Sequence, residues 1–228
     1  MPTKDKEEQT AEILIGSVSL TGDLNIPEGA QGIVLFAHGS GSGRKSPRNR
    51  YVARVLQEAG LGTLLFDLLT QEEEVVDAQT RHLRFDIVLL SNRLVSVTDW
   101  LDRNRAVGSN LGIGYFGAST GAAAALVAAA KRADRIKAVV SRGGRPDLAD
   151  PYLGQIRAPT LLVVGGYDTS VIQMNQEAFD KLQQLSPEKD EKKLVIVPEA
   201  THLFEEPGKL ERVAQLATEW FARLLSQP

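Results

Sequence analysis

"LGIGYFGASTGAAAALVAAA", residues 111–130, falls into three parts. The apolar "LGIGYF" has strand character, and "GAAAALVAAA" is a run of small residues suited to a closely packed helix. Between them lies Gly117-Ala118-Ser119-Thr120-Gly121, a G-x-S-x-G turn. A chain that leaves a strand and enters a helix within so few residues must hold the serine in a strained conformation. The glycines two positions either side remove side chains that would collide across the turn. Such a turn presents the Ser119 hydroxyl at the end of a sheet. A simple strand–helix turn with Ser119 as helix N-cap would use the same residues. The rest of the chain has to separate the two.

Outward from this stretch, apolar runs alternate with helix-like segments. "GIVLFAHG" and "GTLLFDLL" read as buried strands, and "IKAVVSRGG", "APTLLVVGGYD" and "KKLVIVPEATH" as further strands. "PRNRYVARVLQEAG", opened by Pro47 and closed by Gly60, reads as a helix. "LRFDIVLLSNRLVSVTDWLDRN", "NQEAFDKLQQL" and "GKLERVAQLATEWFARLLSQ" carry apolar residues at helical spacing. "AEILIGSVSL" and "TGDLNIPEGA" predict an N-terminal hairpin and turn. Alternation of this kind implies a doubly wound parallel sheet with right-handed crossovers. No repeat or linker splits it, so one domain is expected over 11–228, behind a disordered tail at 1–10.

Ligands of open parallel sheets sit at the carboxyl ends of the strands. Serine needs a base to take its proton, and the chain has 3 histidines, His38, His82 and His202. His202 follows the last expected strand. His82, in "TRHLRFD", is read as a solvated residue on a helix surface, and His38 as a buried imidazole holding its loop through backbone bonds. An orienting acid should fall between nucleophile and base in chain order. Asp168, in "LLVVGGYDTSV", does so at a strand end, where it could fix the tautomer that leaves Nε2 free. Asp147 and Asp150 compete from the irregular stretch "SRGGRPDLADP". Ser119, Asp168 and His202 thus keep the order and placement of a catalytic triad.

The loop "HGSGSGRKS", residues 38–46, could cradle a phosphate or form half of an oxyanion hole. Its spelling fits neither G-x-x-x-x-G-K-[ST] nor G-x-G-x-x-G. With the serine turn on a neighbouring strand, it lies where a second oxyanion donor is needed. The expected donors are the backbone N–H groups of Thr120 and Ser40.

Composition excludes several classes. The 228 residues include no cysteine, which removes disulfides, thiolate catalysis and cysteine-ligated zinc. A net charge of −3 gives no footprint for nucleic acid. No apolar run nears the ~20 residues needed to cross a bilayer, and the polar start "MPTKDKEEQT" lacks a signal core. A cytoplasmic protein without metal or membrane partner is expected.

The pieces "FAHGSG", "GYFGASTGAAAAL", "LLVVGGYD" and "THLFEEPG" resemble, in the same order, the α/β-hydrolases of the dienelactone hydrolase-like group. The resemblance runs from about residue 32 to the C-terminal helix. It implies an α/β-hydrolase fold, with a mostly parallel eight-stranded sheet flanked by helices, and a Ser–His–Asp hydrolase without cofactor. Dienelactone hydrolases proper use a cysteine nucleophile, which this chain lacks, so their specific substrate does not carry over. About twenty residues separate "IKAVVS" from "PTLLVV", which leaves little or no room for a lid. The expected reaction is hydrolysis of a small, soluble carboxylic ester. A thioesterase or acyltransferase using the same triad is the alternative within enzymes, and a non-catalytic ligand-binding protein is the alternative outside them. Arg142, directly after "IKAVVS", is the candidate for binding an anionic substrate, with Arg44, Arg48 and Arg145 nearby. Pairing of these cations with "DLAD" or Glu72–Glu74 is the plainer expectation. The oligomeric state is not legible.

Overall fold

The computed structural model of the chain describes residues 9–104, 111–183 and 191–226. Three of the apolar runs, β3 (Gly32–Ala37), β4 (Gly62–Phe66) and β7 (Thr160–Gly165), are buried at every residue. A strand so enclosed must carry cover on both faces, and the remaining elements supply it. β5 (Gly112–Ala118), β6 (Ile136–Arg142) and β8 (Lys192–Val197) join them in parallel. The N-terminal hairpin of β1 (Gln9–Ile15) and β2 (Val18–Asn25) adds two antiparallel strands at one edge. The sheet has eight strands in the order β1-β2-β4-β3-β5-β6-β7-β8. This is the mostly parallel eight-stranded sheet that the family resemblance implied.

One face packs on α1 (Pro47–Glu58) and α7 (Lys209–Leu225), burying Val52, Leu56, Trp220 and Phe221 against Phe36 and Phe116. The other carries α3 (Ile87–Arg103), α4 (Thr120–Lys131) and α6 (Thr169–Gln183). Every residue of α4 from Thr120 to Ala129 is buried, which its alanines permit because they let sheet and helices approach from all sides. Between β6 and β7 the chain forms only a 3₁₀ turn at Pro146–Ala149 and the single-turn α5 (Asp150–Leu153). No cap domain stands there. No helix among the described residues is long and apolar enough to cross a membrane.

Four local expectations change. Gln71–Thr80 forms α2, which periodicity does not reveal because Asp77 is its only buried residue. Its signal is the capping box, in which the Thr70 hydroxyl accepts from Glu73 N and the Glu73 carboxylate from Thr70 N. His82 is exposed as expected, but it lies between α2 and a 3₁₀ turn at Leu83–Phe85 rather than on a helix. α6 begins at Thr169, six residues before the apolar spacing announces it. Of the expected tail, residues 1–8 lie outside the described residues, and Gln9 and Thr10 already pair in β1.

Candidate active site

The turn after β5 has the strained form that its sequence demands. Ser119 has φ 51 and ψ −120, a left-handed conformation disfavoured for any residue with a side chain. Its side chain makes no N-cap hydrogen bond, so the capping alternative is not what the turn uses. A Cβ at Gly117 would stand 2.4 Å from Ala122 Cα, and one at Gly121 would stand 2.3 Å from the Ala37 and His38 carbonyl oxygens. The glycines therefore close two gaps at once: the turn on itself, and the turn onto the end of β3.

The loop after β3 is held at both ends. His38 is buried, with Nδ1 donating to the Gly39 carbonyl at 3.0 Å and Nε2 accepting from Leu68 N at 3.0 Å. These partners require the Nδ1–H tautomer. At the far end Arg44 donates from its backbone N to Asp67 Oδ1 at 2.8 Å and from Nη1 to Asp67 Oδ2 at 2.6 Å. Lys45 reaches the buried Asp23 at 2.7 Å. Between the anchors, Gly39 lies against Ser119, and a Cβ there would be 3.2 Å from the Ser119 Cβ. Ser40 N donates to Thr120 Oγ1 at 2.9 Å. Both expected oxyanion donors are thus brought together, but the Ser40 N–H already has a partner.

Burial holds His38 below the ordinary imidazole value of 6.5. The unfolded chain then binds the proton that the native state refuses. The stability due to neutral His38 is complete above about pH 6.5 and is lost as pH falls below it. Urea unfolding of the wild type should therefore weaken more steeply from about pH 6.5 to pH 5 than that of His38→Asn. Equal slopes would remove His38 as the source.

Asp168 closes the turn after β7, its N donating to the Gly165 carbonyl at 3.0 Å. His202 stands in the loop after β8, with Nδ1 and Asp168 Oδ2 2.6 Å apart. The two loops are knitted together by Gly166 N to the Val197 carbonyl (2.8 Å) and Tyr167 N to the Ala200 carbonyl (2.9 Å). Gly143, with φ +52, leaves room for the imidazole, since a Cβ there would lie 3.4 Å from both Nδ1 and Cε1 of His202. The rival acids are engaged elsewhere: Asp147 accepts from Arg145 Nε at 2.8 Å, and Asp150 pairs with Lys181.

A cavity of about 220 Å³ opens beside the loop and reaches Ser40, Thr120 and Leu90. Its wall includes Glu74 and the pair of Asp77 with Arg84, whose Nε donates to Oδ2 at 2.5 Å. Sequence reasoning did not assign Glu74, Asp77 or Arg84 to a site, because it missed α2, which carries Glu74 and Asp77; the capping box could have found that helix. Arg142 does not line this cavity. It is buried at the end of β6 on the face that carries α1 and α7, its guanidinium carbon 6.0 Å from the centre of the Phe204 ring.

The Ser119 turn stands at the end of β5 and the paired Asp168 and His202 after β7 and β8; between them Gly143 lies against the His202 ring and follows Arg142, whose carbonyl accepts from Ser119 N at 3.2 Å. The family model described as the dienelactone hydrolase family matches residues 20–226. Two curated Mycobacterium tuberculosis proteins, provisionally named phosphoribosyl transferases, are 55% identical over 227 residues. The match takes in all of this chain and 48% of each relative, so the chain spans about half the length of the curated relatives it matches. Among solved structures, a dienelactone hydrolase from Anabaena variabilis is 62% identical, with a TM-score of 0.91 over 96% of this chain and 98% of that one. An α/β serine hydrolase without lid from Xanthomonas campestris is 20% identical, with a TM-score of 0.74 over 100% of both chains, a likeness of fold.

Proposed function

The chain belongs to the dienelactone hydrolase family, and from that premise we propose that it is a serine hydrolase that cleaves a small, soluble carboxylic ester through an acyl-enzyme. Family and fold support a hydrolase of the esterase type; the nucleophile and the bond cleaved are the proposal. The observation that carries it is the 2.6 Å contact between His202 and Asp168, at the ends of neighbouring strands on the same sheet as the strained Ser119 turn.

Each residue then has a defined task. Ser119 Oγ attacks the ester carbonyl as His202 Nε2 takes its proton. Asp168 accepts from the Nδ1–H, which fixes the tautomer and stabilises the imidazolium. Charge collects on the carbonyl oxygen, where the Thr120 N–H, at the start of α4, meets it. His202 returns the proton to the leaving alcohol, and water repeats the sequence to free the acid. Ser40 supplies the second donor once its N–H is shared between the Thr120 hydroxyl and the oxyanion.

A fluorophosphonate probe tests the reading directly. Covalent labelling of Ser119, absent in Ser119→Ala, is expected. An unlabelled wild type would favour a ligand-binding protein on the same fold. A panel of p-nitrophenyl esters and matched thioesters then assigns the acyl bond. The transfer reaction in the curated relatives' name belongs to proteins about twice this length, and a hydrolase in the shared half is compatible with it.

The loop carries its own prediction. Ser40→Ala keeps the backbone donor and should be mild. Ser40→Pro removes the N–H and should lower kcat by about 10²–10³. Near-normal turnover in Ser40→Pro, with its structure showing the loop in place, would take Ser40 out of the oxyanion hole.

A further inference from the structure

Apart from Thr120, the cavity of about 220 Å³ draws its wall from one side of the Ser119 turn. His38 to Ser42 follow β3, Leu68 and Leu69 follow β4, and Glu74, Asp77 and Leu90 come from α2 and α3. In the sheet, β3 and β4 lie on one side of β5, while β7 and β8, which lead to Asp168 and His202, lie on the other. His202 must return its proton to the leaving alcohol, so the alcohol stands on the His202 side of the serine. The acyl group is bonded to the carbon that carries the oxyanion. It is left on the side of Ser40 and Thr120, and the cavity reaches both.

Leu68, Leu69 and Leu90 are buried and give the wall its apolar part. An apolar cavity of about 150 Å³ takes up benzene, so this one has room for a short branched alkyl chain. Among the charged groups of the wall, Asp77 and Arg84 neutralise each other through the 2.5 Å bond between them. His38 is held neutral by burial. Glu74 has no such partner: among the described residues its carboxylate accepts no hydrogen bond and forms no ion pair. Arg44 acts on it only through space, since the hydrogen bonds of that guanidinium go to Asp67 and Asp23. Partial burial first, and the Asp67 charge second, hold the Glu74 carboxyl above its ordinary value. The wall is therefore apolar with one uncompensated negative charge.

Given the hydrolase reading, on which this rests, we propose that the cavity is the acyl pocket and that Glu74 selects acyl chains ending in a cation, such as a protonated or quaternary amine. Such a chain lays its methylenes on the three leucines and its charge beside Glu74. A carboxylate-ended chain of the same length meets a like charge there and is rejected. The pair is partly exposed, so its effect is modest and falls as salt is added.

Three p-nitrophenyl esters that share a leaving group provide the test. Their acids are ω-trimethylammonio-pentanoic acid, its uncharged tert-butyl isostere and adipic acid. In the wild type at low salt, kcat/KM for the cationic ester should exceed that for its isostere by about three- to fivefold, with the adipate below both. Glu74→Gln should bring the ratio of cationic to neutral ester to about one, and Glu74→Lys should put the adipate ahead. With the cation moved to the alcohol side, in a trimethylammonio-phenyl butyrate, no dependence on Glu74 is expected. Equal kcat/KM for the three acyl chains in the wild type, or a preference that survives Glu74→Gln, would overturn the role of Glu74. A Glu74-dependent preference found on the alcohol side alone would overturn the acyl placement. If no ester is hydrolysed, the hydrolase reading fails by itself, and pentyltrimethylammonium decides whether the cavity takes a cation. It should raise the wild-type Tm and leave that of Glu74→Gln unchanged; no shift in the wild type would overturn the cation site as well.

Discussion

Ser119→Ala is expected to lower turnover of a p-nitrophenyl ester by about 10⁶, and His202→Ala by a similar factor. Alanine at 119 leaves the carbonyl with no atom to bond. Alanine at 202 leaves a hydroxyl that keeps its proton, which is nearly as disabling. Since each residue is useless without the other, the double mutant should be scarcely slower than either single one. Steady-state kcat values for the three variants provide the check. Losses that multiplied would mean the two residues act independently, and the paired roles assigned to them would be wrong. The Thr120 and Ser40 donors remain in all three variants, so a residual rate of about 10³–10⁴ over water should persist.

Asp168→Asn is expected to cost less, about 10⁴ in kcat. Asparagine has nearly the shape of aspartate and would keep the 2.6 Å neighbour at His202 Nδ1. Its amide would offer a hydrogen where the carboxylate offers a lone pair, and the imidazole would turn its proton toward Ser119. The base would then face the nucleophile in the wrong tautomer. A crystal structure of the variant with an undisturbed ring, combined with a large loss of kcat, would place the effect on the proton. If Asp168→Asn were silent while Asp147→Asn or Asp150→Asn disabled the protein, the acid would have to be reassigned despite their pairing with Arg145 and Lys181.

The parallel strands were legible because they are apolar on both faces, a pattern that few other elements share. The turn at Ser119 was legible because only glycines at 117 and 121 fit it, as the contacts near 2.3–2.4 Å explain. α2 was hidden for the converse reason. Val75 and Val76 are 62% and 48% exposed, so the helix has no apolar stripe to give it a period. The bond between Ser40 N and Thr120 Oγ1 links residues 80 apart in sequence, and no local pattern encodes such a contact. Arg142 shows the same limit from another side. Its place at a strand end could be read, but its burial, with Nε left without a partner, is set by the packing around it.

On the serine-hydrolase reading, the left-handed backbone at Ser119 sets durability against activity at a single codon. Strain of this kind costs about 1–3 kcal/mol, against a total stability of about 5–15 kcal/mol for most proteins. Glycine would occupy the same conformation without steric penalty, and it has no hydroxyl. A lineage selected only for robustness would be drawn to glycine at 119, and a library screened by heat alone would enrich it. A population that keeps serine there under such pressure must be drawing some benefit from the hydroxyl in each generation.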